Sequence, residues 1–155
     1  ILAWAARLAP DDAEIHRRLA AAGAILDPDL PAIIEGERNL LRLEPDNAMA
    51  QLQVINRAID QRQSVSERFS LCQRLLGSEA GGRLDRAVRS HVAFRAAALA
   101  QEQGRPSIAS AYLQEALKHN PANLDAAALH VLEIDRQTAK VELLVRALVR
   151  LMTRV

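Results

Sequence analysis

The sequence predicts an all-α protein, an α-solenoid of stacked antiparallel helix-turn-helix units. Three observations lead there. The stretch from His91 to Asn123 carries two successive apolar helical periods separated by Gly104-Arg105-Pro106. Prolines that stop helices recur, with Pro10 and Pro45 standing 35 positions apart. Half of the residues are hydrophobic but only 3% are aromatic, which suits close helix-helix packing better than a β-rich core or an aromatic-lined pocket.

The central unit sets the pattern. Ala93, Ala96, Ala97 and Ala100 recur at helical spacing, and Ala109, Leu113, Ala116 and Leu117 resume the period after the break. Small residues on the first helix let the second approach closely. Gly104 supplies the positive φ that ends a helix, and Pro106 suits the first turn of the next. Asn120 and Pro121 stop the second helix, because proline has no N–H to donate and restricts the residue before it.

These residues resemble the tetratricopeptide repeat, a helical pair of about 34 residues with a turn glycine and a closing proline. Ala97, Ala100, Gly104, Ala109, Leu113, Ala116 and Pro121 stand at matching positions. Ala93 departs from the family's tryptophan and Ala100 from its tyrosine. The resemblance implies a right-handed superhelix whose first helices line a concave groove.

The remainder divides in the same phase into one repeat domain over 1–155, with 1–10 as the end of a preceding repeat, followed by repeats at 11–45, 46–79, 80–121 and 122–155. The chain is then expected to be a fragment of a longer protein. Ile1 to Ala9 is the end of a helix stopped by Pro10, with Trp4 packed on the following unit or exposed as a binding anchor. Asp11 or Asp12 caps a helix to about Ile25, with Ile15, Leu19, Ala22 and Leu26 as its apolar stripe. Asp27-Pro28-Asp29 turns the chain into Leu30 to Leu43, and Glu44-Pro45-Asp46-Asn47 closes the unit. Ala48 to Gln61 follows, with Leu52, Ile55 and Ile59 inside. Ser64 or Ser66 caps a helix carrying Phe69, Cys72, Leu75 and Leu76. Gly77 to Gly82 reads as a flexible loop, Arg83 to Gln103 as an extended helix, and Leu124 to Asp135 and Thr138 to Arg154 as the last hairpin.

The search for chemistry is largely negative. Cys72 is the sole cysteine, excluding an internal disulfide and a cysteine metal cluster; it reads as a small buried apolar residue, with an exposed regulatory thiol as the alternative. His16, His91, His119 and His130 form no HExxH or similar pairing and read as structural. There is no GxSxG, phosphate-binding loop or dinucleotide fingerprint. Paired carboxylates such as Asp11-Asp12 and Glu35 with Glu37 sit at caps and on helix faces. No enzymatic activity, cofactor or metal is therefore expected. The formal net charge of +1 argues against a dedicated nucleic-acid binder. No apolar run reaches membrane-spanning length, and a cytoplasmic location is favoured over a periplasmic one on cysteine usage.

What remains is a non-catalytic scaffold that binds a protein or peptide partner. The resemblance puts Gln53 and Asn56, then His91, Phe94, Arg95 and Ala98, and then Asp125 toward a ligand in the groove. The lysine and asparagine clamp by which some members hold C-terminal carboxylates is not evident. Arg146, Arg150 and Arg154 recur every four residues as a basic stripe, either a solvated face or a docking patch for an acidic segment or the next repeat. Divided at Ser78, the first part holds 9 basic and 11 acidic groups (−2) and the second 11 and 8 (+3). Two other readings stay open: self-association through the terminal helices, or an accessory domain of a larger enzyme.

Overall fold

The computed structural model describes residues 1–23, 25–77, 79–137, 145–146, 149–150 and 152. The described residues form helices joined by turns and hold no strand. The helices are α1 (Leu2–Leu8), α2 (Ala13–Ala22), α3 (Pro31–Leu43), α4 (Ala48–Asp60), α5 (Val65–Gly77), α6 (Glu79–Gly82), α7 (Arg86–Glu102), α8 (Pro106–His119) and α9 (Leu124–Gln137). They fall into two compact units, Ile1–Gln61 and Arg62–Val155.

One turn recurs three times. Ala9, Glu44 and Asn120 end α1, α3 and α8 with nearly the same backbone, φ −131, −127 and −137°, each donating its N–H to the carbonyl four residues back. The prolines that follow cannot continue the helix. Two residues after each proline stands an Asx cap. Asp12 Oδ1 accepts from the N–H groups of Glu14 and Ile15, Asn47 Oδ1 from Ala50, and Asn123 Oδ1 from Ala126. Each cap satisfies N–H groups that the first helical turn leaves without intrahelical partners.

In unit 1, α2 and α3 form a tight hairpin, with α1 packed on α2 and α4 on α3. Its core joins Ala20, Leu40 and Ala50, with Leu19, Ile33, Ile55 and Ile59 also buried. Gly36 sets the hairpin's spacing, since a Cβ there would lie 2.7 Å from Leu19 Cβ. The expected stripe of α2 is corrected by this packing. His16, Leu19 and Ala20 are buried, Ile15 is half-buried and Leu26 is 56% exposed. α2 also ends at Ala22, short of Ile25. Trp4 is 66% exposed and therefore not a core residue.

In unit 2, α7 is packed by α8 on one side and α5 on the other, and α9 lies against α8. Ala93, Ala97, Leu113, Ala116 and Ala126 form the seam, and Phe69 meets Tyr112 edge to face at 5.8 Å. Gly104 takes φ 69° as the turn requires. Ser64 caps α5 in a reciprocal box: its hydroxyl accepts the Glu67 N–H while Glu67 Oε2 accepts the Ser64 N–H.

Two expectations here are corrected. The glycine-rich segment contains the short helix α6, held by Arg89, which donates to the carbonyls of Gly81 and Leu76 at 3.2 Å each. α7 starts at Arg86 because Asp85 Oδ1 caps it through the Ala87 N–H at 2.8 Å. Within the last hairpin, Thr138 to Leu144 and Arg154 lie outside the described residues.

Glycine substitutions separate packing from propensity. Gly77→Ala, with nothing within 4 Å of its new Cβ, is expected to gain up to about 1 kcal/mol from helix propensity. Gly36→Ala is expected to lose about 1–3 kcal/mol to overpacking against Leu19 despite the same propensity gain. Urea denaturation of both variants checks the opposite signs.

Candidate functional site

A polar concavity of 530 Å³ in unit 1 lies between the α2–α3 turn and the second half of α4. Gly23, Pro28 and Asp29 form one wall, Glu37 comes from α3, and Gln53, Asn56, Arg57, Asp60 and Gln61 form the other. The last five occupy i, i+3, i+4, i+7 and i+8, one face of a helix over more than two turns. Sequence reasoning placed Gln53 and Asn56 toward a ligand, and both line this cleft. Gln53 Nε2 lies 3.5 Å from the Ala20 carbonyl, while its Oε1 has no partner among the described residues.

Arg57 organises the cleft and was not anticipated. Its Nε and Nη2 donate to Glu37 Oε2 and Oε1 at 3.2 Å each, Nη1 to Asp29 Oδ1 at 2.6 Å, and Nη2 also to the Pro28 carbonyl at 2.8 Å. The guanidinium fork matches the carboxylate edge, so α4 is clasped both to α3 and to the turn before it. The Arg57 and Glu37 side chains are only 13% and 4% exposed. Those partners, the Glu37 hydrogen bond first, hold the Arg57 pKa above its ordinary value. Raised in the folded state, it loses its stabilising charge only at strongly alkaline pH. A signal existed in the sequence: Glu37 on the face that α3 buries needed a cation, and an arginine at helical register on α4 supplies it.

His16 marks a second concavity of 320 Å³ among α1, α2 and α3, which Arg7, Glu35 and Asn39 also line. The ring is 1% exposed and its Nε2 lies 2.9 Å from the Pro10 carbonyl. Since that oxygen only accepts, Nε2 is the protonated nitrogen. One period later, Gln51 Nε2 donates to the Pro45 carbonyl at 2.7 Å. The two side chains hold equivalent turns, which accounts for their burial as structural groups.

In unit 2, His91, Phe94, Arg95 and Ala98 occupy one half-buried face of α7 at i, i+3, i+4 and i+7. Phe94 also packs against the core seam. Asp125 is exposed in the first turn of α9. The neighbouring buried face of α7 is structural: Ser90 Oγ donates to the Ala116 carbonyl at 2.8 Å and accepts from Asn123 Nδ2 at 3.0 Å, tying α7, α8 and α9 together. Arg146 and Arg150 are helical and exposed; Arg154 lies outside the described residues. Cys72 is fully buried, which corrects the exposed-thiol alternative.

Among the described residues no three His, Cys, Asp or Glu side chains are grouped to hold a metal ion, and no helix is long and apolar enough to cross a membrane. The sequence matches no protein-family model and no curated protein.

Removing the clasp has a defined cost. Arg57→Ala leaves the Glu37 carboxylate buried without its cation, and a loss of about 3–5 kcal/mol is expected. Replacing both residues by leucine is expected to recover most of that loss, because the pair's desolvation disappears with it. Chemical denaturation of the two singles and the double checks this, and a single-variant loss below about 1 kcal/mol would mean the pair is effectively solvated.

Proposed function

We propose that this chain is a non-catalytic interaction scaffold whose helical hairpins stack as a right-handed, tetratricopeptide-like superhelix and hold a peptide segment of a partner protein. The observation that carries the reading is the cleft of unit 1, which Gln53 and Asn56 of α4 and its C-cap Gln61 line together. A carboxamide both donates and accepts, so those of Asn56 and Gln61 suit the alternating N–H and C=O groups of an extended backbone, whereas Gln53 is turned to the Ala20 carbonyl. Further support comes from α7, whose His91, Phe94, Arg95 and Ala98 offer an aromatic ring and polar groups at one helical register. Arg57 positions the first row without contacting the ligand.

Affinity capture from source-cell lysate tests this with the intact chain and a variant carrying Asn56→Ala, Phe94→Ala and Arg95→Glu, both verified as helical by circular dichroism. A partner recovered by the first at about tenfold or more over the second is the expected outcome, a loss of the size hot-spot truncations produce. Equal recovery would remove both faces from consideration.

Exposed apolar side chains favour a second reading, self-association. Ile1, Trp4 and Leu8 are 106, 66 and 65% exposed along α1, and Val145, Val149 and Met152 are 49, 53 and 75% exposed. Light scattering across a concentration series is expected under this reading to show a dimer or larger species that Trp4→Glu with Leu8→Glu returns to the monomer. A monomer at all concentrations would rule it out.

A further inference from the structure

We infer that the cavity among α1, α2 and α3 binds a small zwitterion, a free α-amino acid with an aliphatic side chain. This site is separate from the proposed peptide cleft, with which it shares no lining residue. The observation that points to a ligand is His16. Its Nε2 donates to the Pro10 carbonyl, which leaves Nδ1 as a lone-pair acceptor. That atom is buried and has no partner among the described residues. The equivalent turn at Pro45 is held by the Gln51 amide, so the turn itself requires only a donor. An imidazole adds an acceptor that the fold does not use, on a ring that lines a 320 Å³ cavity. Leaving a buried acceptor unpaired is unfavourable, and a bound donor relieves it.

Charges on the cavity wall define the rest of that molecule. Arg7 of α1 and Glu35 and Asn39 of α3 line it, and their side chains make no hydrogen bond or ion pair with any described residue. One cation and one anion thus stand at the same concavity without neutralising each other. A simple anion would be opposed by Glu35 and a simple cation by Arg7, whereas a zwitterion satisfies both. The guanidinium matches a carboxylate through two parallel N–H donors. An ammonium group carries three donors and no acceptor. Glu35 and Asn39, four apart and so on one face of α3, offer it acceptors beside His16 Nδ1.

Size and access follow from the same helices. At 320 Å³ the cavity lies at the lower end of small-molecule sites. Ala3, Ala6, Ala32 and Leu19 give it apolar wall without an aromatic ring, which fits a short aliphatic side chain. The seven-residue α1 buries none of its residues. A small displacement of this helix therefore admits the ligand and brings its ammonium group within reach of Nδ1 at low cost.

The test uses the full chain and isothermal titration calorimetry with L-valine, L-valinamide, which lacks the carboxylate, and N-acetyl-L-valine, which lacks the ammonium group. Valine is expected to bind about tenfold tighter than the two derivatives. Arg7→Gln should weaken valine about threefold to fivefold, the upper range for an exposed ion pair, and leave valinamide within about twofold. Glu35→Gln should weaken valine by the same factor and leave N-acetylvaline within about twofold. Both side chains are exposed, so the variants keep the core intact. His16 is read without mutation: the nitrogen-15 resonance of its Nδ1 should shift on saturation with valine as the lone pair accepts a hydrogen bond. Equal weakening of all three probes by both variants would mean diffuse attraction and overturn the assignment. Valinamide binding as tightly as valine would make a peptide N-terminus the ligand and overturn the free amino acid. Valine binding with an unmoved His16 resonance, or binding lost in Asn56→Ala, would place the ligand elsewhere and overturn the site. No binding of valine would mean that the cavity holds solvent water only, and would overturn the proposal while leaving the peptide cleft untouched.

Discussion

Short helices make this protein depend on how their ends are closed. Every α-helix leaves its first four N–H and last four C=O groups without intrahelical partners, so in helices of 13 residues such as α3 and α4 the ends take up a large share of the backbone. The Pro-x-Asx turn answers this at three places. Proline stops one helix, the Asx side chain caps the next, and in unit 1 a buried His16 or Gln51 binds the proline carbonyl in between. Burying a polar side chain is unfavourable unless it is hydrogen-bonded, so these groups both need the turn and fix it.

Packing within each unit follows from that spacing by different means. Unit 2 uses an alanine seam, where Ala93 and Ala97 on α7 face Leu113 and Ala116 on α8. Small side chains there bring two backbones together over several turns. Unit 1 concentrates the approach at Gly36 beneath Leu19 and adds the Arg57 clasp. A largely buried ion pair contributes little net stability compared with an apolar pair of equal volume. Its value lies in direction, for the guanidinium holds the α2–α3 turn against α4 and so shapes one wall of the cleft.

The same clasp gives the cleft its chemical character. It satisfies Arg57, Glu37 and Asp29 against one another and leaves carboxamides beside that ion pair in the lining. Along the chain, unit 1 holds 6 basic and 10 acidic residues (−4) and unit 2 holds 14 and 9 (+5). Such a division acts on association through steering and partner choice more than through raw affinity.

Local chemistry was legible in the sequence because it depends on neighbours along the chain. The helices, the positive φ of Gly104, the Pro106 start, the Ser64 box and the turns at Pro45 and Pro121 each follow from a few adjacent residues. The family resemblance, not local chemistry, put Gln53 and Asn56 toward a ligand, and both line the unit 1 cleft. Tertiary structure decided what periodicity leaves degenerate. In α2, alanines on several faces blurred the phase, and the approach of α3 at Gly36 selected His16, Leu19 and Ala20 over Ile15 and Leu26. The union of Arg57 with Glu37 and Asp29, 20 and 28 residues away, depended on two hairpin elements meeting, as did the exposure of Trp4. Sequence determined the helix ends that Pro10, Pro45, Gly104 and Pro121 set, because those rules are local; packing decided which faces are buried and which charges meet, because those partners are distant in the chain.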